Sequence, residues 1–216
     1  MLKQDTEAEM GFYTDRILPR IINLACGAKQ ARPLRRRACE GLRGEVVEIG
    51  FGTGHNVPFY PPEVTGVAAV EPSDLGWKLA ADRVRASRVP VRRSGLDGQS
   101  LPFGDDTFDS ALCTWTLCTI PDPGAALREL RRVLKPGGTL HFVEHGLAPE
   151  RDRRVRSLQR RLEPLNMRLF GGCHLTRPTV GLLKAAGFTL TRLDVFYEKG
   201  APKPIGAASL GTALSP

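Results

Sequence analysis

No apolar run in this sequence approaches the roughly 18 residues that a membrane-spanning helix needs. The opening MLKQDTEAEMGFY is polar and acidic, so no secretory signal is expected. Cysteine is scarce, odd in number (five) and never in a CxxC pair. Neither a disulfide framework nor a thiolate zinc site is expected, and buried free thiols in a reducing cytoplasm are the plain reading. Aromatic residues make up 6%, and none interleaves the arginine clusters, which argues against stacking on single-stranded nucleic acid. There is no internal repeat and no low-complexity tract.

What is present fits one domain. A chain of 216 residues, 41% hydrophobic and 25% charged, can bury a substantial core. Net charge is +8, with arginine gathered at Arg35-Arg36-Arg37, Arg92-Arg93 and Arg151–Arg161. Such clusters could attract anionic lipid, nucleic acid or an acidic substrate. Interleaved acids (Glu150, Asp152, Glu163) make solvated helix faces the expected reading.

The most informative stretch is VVEIGFGTG, residues 46–54. A short β-branched run ends in Glu48 and is followed by alternating Gly50, Gly52 and Gly54. Bare backbone at a strand end lets a ligand approach closely. A dinucleotide fingerprint G-x-G-x-x-G counted from Gly50 needs glycine at position 55, where His55 stands. An NAD-dependent oxidoreductase is therefore the lesser alternative. The pattern E-x-G-x-G-x-G suits a ligand without a pyrophosphate, whose cationic amino group Glu48 would attract.

The remaining pattern alternates strand and helix. Apolar spacing predicts a helix over 12–25, interrupted by Pro19, and an arginine-rich helix over 34–42. Strands are expected at 45–49, 65–70, 89–92, 108–113 and 139–143. A short helix after the glycine loop should end near Pro58. Ser73 should cap a helix reaching about Ser87, and Asp122 one over 123–134, stopped by Pro136-Gly137-Gly138. A basic helix at 151–168 should break at Pro164. Thr176 should cap a helix over 178–186, ended by Gly187. Strands at 188–197 and 205–212 close the chain. The expected fold is α/β: a doubly wound, Rossmann-like seven-stranded sheet, mostly parallel with an antiparallel closing strand, and helices on both faces. It divides into an N-terminal helical lid (1–44), a ligand-binding core (45–145), a substrate cover (146–177) and a final helix with closing strands (178–216).

Two further positions join the glycine loop at strand ends. Glu71 lies about 20 residues on, where a carboxylate can take both hydroxyls of a ribose. Alone it could equally cap a helix. Asp97-Gly98 follows the third strand and could read an adenine edge, although Asp97 alone would be a turn residue. Together these sites describe an amino-acid end, a ribose and an adenine.

VVEIGFGTG, AAVEPS, LDGQSLPFGDDTFDSALC and LRELRRVLKPGGTLHFVEH, in this order and spacing, resemble class I S-adenosylmethionine-dependent methyltransferases. The resemblance covers residues 45–145. It implies that Glu48, Gly50, Gly52 and Gly54 hold the methionine part, with Asn56 beside them. It also implies Glu71, Pro72 and Ser73 at the ribose, Asp97 and Gly98 at the adenine, Thr114 along the methionine and Tyr13 closing as a lid. CTWTLCTIPDP, FVEHG, LQRRLEPL and GGCHLTRP resemble, more narrowly, small-thiol methyltransferases of animal endoplasmic reticulum membranes and bacterial phospholipid or quinone methyltransferases. The animal proteins carry an apolar N-terminal anchor, for which no counterpart is expected here. They also have a double cysteine where this sequence reads Cys173-His174, so a role for that second thiol does not carry over.

The function expected is methyl transfer from S-adenosylmethionine to a small molecule, a thiol first and a lipid or quinone second. A non-catalytic binding protein of the same fold is the alternative outside enzymes. An unperturbed thiol, with a pKa of about 8.5, needs only modest activation. His145, after the fifth strand beside Glu144, is the candidate base. Trp115, Glu144, Cys173 and His174 are the other candidate substrate residues. Cys113 and Cys118 read as packing residues, and His55 as a cap or a solvent-facing group. No metal is expected, because no ligand set has the spacing in sequence. Nucleic acid is not expected either, since Cys113-Thr114-Trp115-Thr116 stands where a base-flipping motif would be. Peripheral contact with an anionic membrane, a cytoplasmic location and a monomer or homodimer complete the expectations.

Overall fold

The computed structural model describes residues 18–216. Tyr13 and the first 17 residues of the expected lid lie outside the described residues. Helices α1 (Leu18–Cys26) and α2 (Ala31–Cys39) lead into strand β1 (Gly44–Ile49). There follow β2 (Val64–Val70), α3 (Asp74–Arg85), β3 (Val91–Gly95), β4 (Phe108–Thr114), α4 (Pro123–Val133) and β5 (Leu134–His145). The chain then forms α5 (Arg153–Leu169), α6 (Thr179–Ala185), β6 (Thr189–Tyr197), a one-turn helix α7 (Lys203–Gly206) and β7 (Ala207–Leu214).

The seven strands form one sheet in the order β3-β2-β1-β4-β5-β7-β6. The pairs among β1 to β5 are parallel, and β7 runs antiparallel to both β5 and β6. The strand order reverses between β1 and β4. Open α/β sheets bind ligands at such a switch, outside the carboxyl ends of the strands.

Both faces of the central strands β1, β4 and β5 are covered, which is why these strands carry apolar runs, while the edge strand β6 is largely exposed. On one face Val47, Ile49 and Phe142 pack under Leu127 and Leu130 of α4 and Leu183 of α6. On the other, Val46, Val67 and Leu112 pack under Ala38 and Cys39 of α2. Ala69 packs against Ala80 of α3 on that same side.

Two predicted caps are in place: Ser73 accepts from Gly76 N at 3.0 Å, and Asp122 from Ala125 N at 2.9 Å. Two local expectations fail. Pro164 does not break α5, which runs unbroken across it. The buried Gln159 and Asn166 hold that helix on either side, the first through Gly146 O (3.0 Å) and Pro204 O (3.1 Å), the second through Cys173 O (2.7 Å). Tertiary bonds thus offset the one proline removes. Thr176 does not cap α6, whose N-cap position is Pro178. Its backbone N–H goes instead to Glu163 Oε2 at 2.7 Å, leaving Glu163 as the anchor of that loop.

The antiparallel β7 has one consequence for the site. Ala208 pairs with His145 of β5 on one side and Phe196 of β6 on the other. The ends of β5 and β6 therefore meet at one edge of the sheet, and Glu198, two residues past Phe196, comes to stand near His145.

Candidate active site

The glycine loop turns off β1 with Gly50, Gly52 and Gly54 all at positive φ (67°, 58° and 75°). A β-carbon on Gly50 would fall 2.0 Å from Thr116 Oγ1, so both conformation and space demand glycine there. The loop is tied to the end of β2 by Gly50 N to Val70 O at 3.0 Å and Gly52 N to Glu71 Oε2 at 2.6 Å. The other Glu71 oxygen accepts Ser73 N at 2.8 Å. Burial raises the Glu71 pKa, and these two backbone bonds work against the rise. Each oxygen keeps acceptor capacity for a hydroxyl.

Asp97 is exposed and its Oδ1 accepts Gln99 N at 2.8 Å, a turn that leaves Oδ2 open. Gly98 faces Ile49 and Ile120: a β-carbon there would lie 3.6 and 3.5 Å from them. That is an apolar slot beside a carboxylate and a bare backbone. Pro72 is exposed at the same edge.

Glu48 does not reach this cradle directly. It is fully enclosed, accepting Asn56 Nδ2 at 3.0 Å and the Tyr60 hydroxyl. Burial pushes its pKa up to about 7, against the Tyr60 and Asn56 hydrogen bonds and the Arg35 charge. From Asn56 a hydrogen-bond network continues toward Thr114 and Arg35. Asn56 Nδ2 also donates to Thr114 Oγ1 at 2.9 Å, and Arg35 donates to Asn56 Oδ1 at 2.8 Å and Thr114 Oγ1 at 3.2 Å.

Arg35 corrects the reading of its cluster as a solvated face: it is 5% exposed. It lies 4.7 Å over the Trp115 ring and donates to Cys26 O at 3.2 Å. Its Nε is a buried donor without a hydrogen-bond partner among the described residues. Such an orphan is costly unless an acceptor arrives. The glycine cradle, the half-satisfied Glu71 and this orphan donor fit a ligand bearing hydroxyls and a polar amino-acid end. Nothing in the sequence singled Arg35 out from Arg36 and Arg37.

His55 neither caps nor faces solvent freely. Its Nε2 meets Asn23 O of α1 at 3.0 Å, while Thr53 Oγ1 donates to Asn23 Oδ1 at 2.8 Å, so the glycine loop is latched to α1. Burial, with Arg83 and Arg35 nearby, lowers the His55 pKa to about 4.

Beyond β4, Trp115 adopts φ +50°, a conformation rare outside glycine. It is held by its N–H on Val143 O (2.8 Å) and its indole Nε1 on Glu198 Oε1 (3.1 Å). Strain that the surroundings maintain is a mark of functional loops. Glu144, expected on the substrate side, is instead fully buried beneath this loop. It accepts Thr116 N at 2.9 Å, Cys118 N at 3.4 Å and the Cys113 thiol at 3.2 Å, so it positions the loop.

Trp115 and His145 wall a cavity of about 290 Å³ whose other sides include Cys118, Phe170, Cys173 and Ile205. His145 Nε2 lies 3.3 Å from Glu198 Oε1. Burial pulls the imidazole pKa down, but Cys173 and Glu198 together raise it to about 9. A shift in that direction favours the protonated ring, whereas the base expected at His145 acts through the neutral one. The Cys118 thiol, followed by His145, holds Cys173 well below the ordinary thiol range despite burial. Cys118, read from sequence as packing, is thus a member of the site. His174 turns away, its Nδ1 2.8 Å from Glu163 Oε1. The fold also assembles one group of possible ligand atoms that spacing in sequence does not show. Ligand atoms of Cys118, His145 and Cys173 all lie within 4.8 Å of one another, brought together by the fold from positions far apart in sequence.

Comparison with known proteins agrees with this geometry. Residues 47–142 match the family model described as a methyltransferase domain. The chain is 34% identical over 180 residues to the thiol S-methyltransferase TMT1B of Rattus norvegicus, covering 81% of this chain and 73% of the relative. It is 30% identical over 129 residues to the phosphatidylethanolamine N-methyltransferase of Cereibacter sphaeroides, covering 58% and 63%. A crystal structure of a putative methyltransferase from Bacillus halodurans shares the fold, with a TM-score of 0.69 at 22% identity over 87% of this chain and 99% of that one. The cradle at the strand switch, the family match and the extended likeness to TMT1B lead to one conclusion: the chain belongs to the class I S-adenosylmethionine-dependent methyltransferases, enzymes that take their methyl group from that donor.

Proposed function

We propose that this enzyme methylates the sulfur of a small thiol held between Trp115 and His145. The observation that carries the reading is continuity between two sites. Thr114 and Arg35 belong to the polar network under the glycine loop, and Trp115, the next residue and the ring under Arg35, walls the acceptor cavity. An acceptor in that cavity lies beside whatever the glycine loop holds.

In this reading Gly50, Gly52 and Gly54 give the methionine part room, Glu71 takes the ribose hydroxyls with Pro72 and Ser73 beside it, and Asp97 with Gly98 frames the adenine. The donor supplies an activated methyl group on a sulfonium, and the protein supplies alignment. Orientation alone is worth an effective molarity of roughly 10⁵–10⁸ M. Trp115, fixed at both its backbone and indole nitrogens, orients the acceptor. The cavity is small and mainly apolar, and it excludes water from the nucleophile. Residues 146–177 cover it, with α5 as its outer wall.

A second acceptor class, an apolar lipid or quinone, is supported by the mouth of the cavity. Phe170 and Ile205 line it while remaining 43% and 39% exposed, and Leu165 of α5 is 56% exposed. Among the described residues no helix is long and apolar enough to cross a membrane. Peripheral contact through basic α5 suits such an acceptor, while a monomer or homodimer in the cytoplasm suits the thiol.

The test is methyl transfer from labelled donor to a panel of small thiols, quinones and phosphatidylethanolamine vesicles, with Trp115→Ala alongside. We expect thiol products, and a drop of at least about 10-fold in kcat/KM for the variant with donor affinity kept. Turnover on quinones or vesicles alone would reject the thiol in favour of the second class.

A further inference from the structure

We propose that Cys118, His145 and Cys173 bind a thiophilic divalent cation of the zinc class, with the acceptor thiol as its fourth ligand. The proposal rests on the thiol reading above and deepens it. Two sulfurs and one imidazole nitrogen are a borderline-soft donor set, and all three ligand atoms lie within 4.8 Å of one another. A tetrahedral zinc with bonds of about 2.3 Å to sulfur and 2.0 Å to nitrogen needs ligand atoms roughly 3.6–3.8 Å apart. Small rotations of the three side chains reach that spacing.

The surroundings are those of a supported site. Glu198 meets His145 Nε2 at 3.3 Å and is itself held by Trp115 Nε1 at 3.1 Å. A carboxylate on the far nitrogen of a ligating histidine fixes the ring and leaves Nδ1 for the ion. The backbones carrying the cysteines are pinned too. His174 N donates to Cys118 O at 2.8 Å, and Asn166 Nδ2 to Cys173 O at 2.7 Å. The first bond ties the loop after β4 to the loop after α5, and the second ties that loop back to α5, so both cysteine backbones are held near the end of β5.

Three protein ligands facing a cavity leave one position open, which is the arrangement of a catalytic rather than a structural ion. All three residues line the 290 Å³ acceptor cavity, so an incoming thiol meets the open position there. On ligation that thiol gives its proton to solvent. Its sulfur then forms a bond to the methyl carbon as the bond from carbon to the donor's sulfonium breaks, and the neutral thioether, a weaker ligand, leaves.

The probe is cobalt(II), titrated into the full reduced chain with no methyl donor present. We expect one equivalent to bind, with thiolate-to-cobalt charge-transfer absorbance and tetrahedral visible bands, and zinc to displace it. Cys173→Ser should remove most of the charge-transfer intensity, and Glu198→Gln should weaken zinc binding about 10–100-fold. A small thiol should add further charge-transfer intensity; a thioether should not. Circular dichroism melts identify any variant that fails to fold, and the parent titration needs none. No charge-transfer band in the parent, or an unchanged band in Cys173→Ser, overturns the site. Thiol methylation by a chain that binds no cobalt or zinc overturns the site and leaves the thiol reading standing. Cobalt binding without any response to thiols overturns the fourth-ligand role.

Discussion

The donor side and the acceptor side of this enzyme are built in opposite ways. The proposed donor side is mostly backbone from adjacent segments: Gly50 to Gly54, Glu71 to Ser73 and Asp97-Gly98 at the ends of three neighbouring parallel strands. Its key bonds join loops that follow β1 and β2, such as Gly52 N to Glu71 Oε2 at 2.6 Å. The proposed acceptor side is mostly side chains from distant segments. Trp115, Cys118, His145, Cys173 and Glu198 come from three loops and a strand end, joined by an antiparallel strand. Backbone recognition needs glycine and a fixed strand order, so it leaves a motif. Side-chain recognition needs only that the fold deliver the right atoms, so it leaves little trace in sequence.

That contrast can be broken from the donor side with the largest effect. Glu71→Ala removes the acceptor of two backbone N–H groups and the proposed ribose contact. Donor affinity measured by calorimetry should fall by about 3 kcal/mol, roughly 100-fold, with thiol binding kept. Unchanged donor affinity would detach Glu71 from the donor site.

Arg35→Met tests the seam between the halves. It keeps apolar stem volume but strips a hydrogen bond from Asn56 Oδ1, Thr114 Oγ1 and Cys26 O. A loss of about 2–3 kcal/mol in unfolding free energy is expected, seen in chemical denaturation. Both donor affinity and acceptor turnover should drop. A loss confined to one side would make Arg35 a local strut.

Glu198→Gln sharpens the acceptor side. Without its charge the hold on His145 Nε2 and Trp115 Nε1 weakens. We expect kcat/KM for the thiol to fall about 10-fold while donor affinity stays within about twofold. Equal losses in both would place Glu198 in the general fold.

The smallest effect is on stability against pH. Burial lowers the His141 pKa to about 4, against the hydrogen bond to Ala38 O. The unfolded chain binds this proton from about pH 6.5 downward. His141 therefore supports the fold above pH 6.5, and that support is lost as pH falls toward 4. Between pH 6.5 and 5.5 the loss is about 1 kcal/mol from this residue, and His141→Gln should flatten it in urea unfolding at stepped pH. His55, also lowered to about 4, titrates the same way at the latch between α1 and the glycine loop. An equal slope in His141→Gln and the parent would remove His141 as its source.

Particular residues show where sequence reading reached and where it stopped. Ser73 and Asp122 cap their helices as local chemistry predicts, because a cap needs only atoms three residues away. Pro164 misled, because Gln159 and Asn166 hold α5 from outside the helix. Glu48 lies on β1 as its sequence position indicates, while its enclosure by Tyr60 and Asn56 arises only once the chain turns back. Cys118 and Cys173 carry no local sign that they meet.

The sequence by itself determined the alternating fold and the glycine-carboxylate pattern that marks the methyl donor, because periodicity, caps and positive-φ glycines act over a few residues. Only the tertiary structure decided that Arg35 is buried, that Glu144 supports a loop, and that two cysteines, a histidine and Glu198 share one cavity. Those contacts span dozens of residues and depend on β7 running antiparallel between β5 and β6, which sets the ends of both beside that cavity.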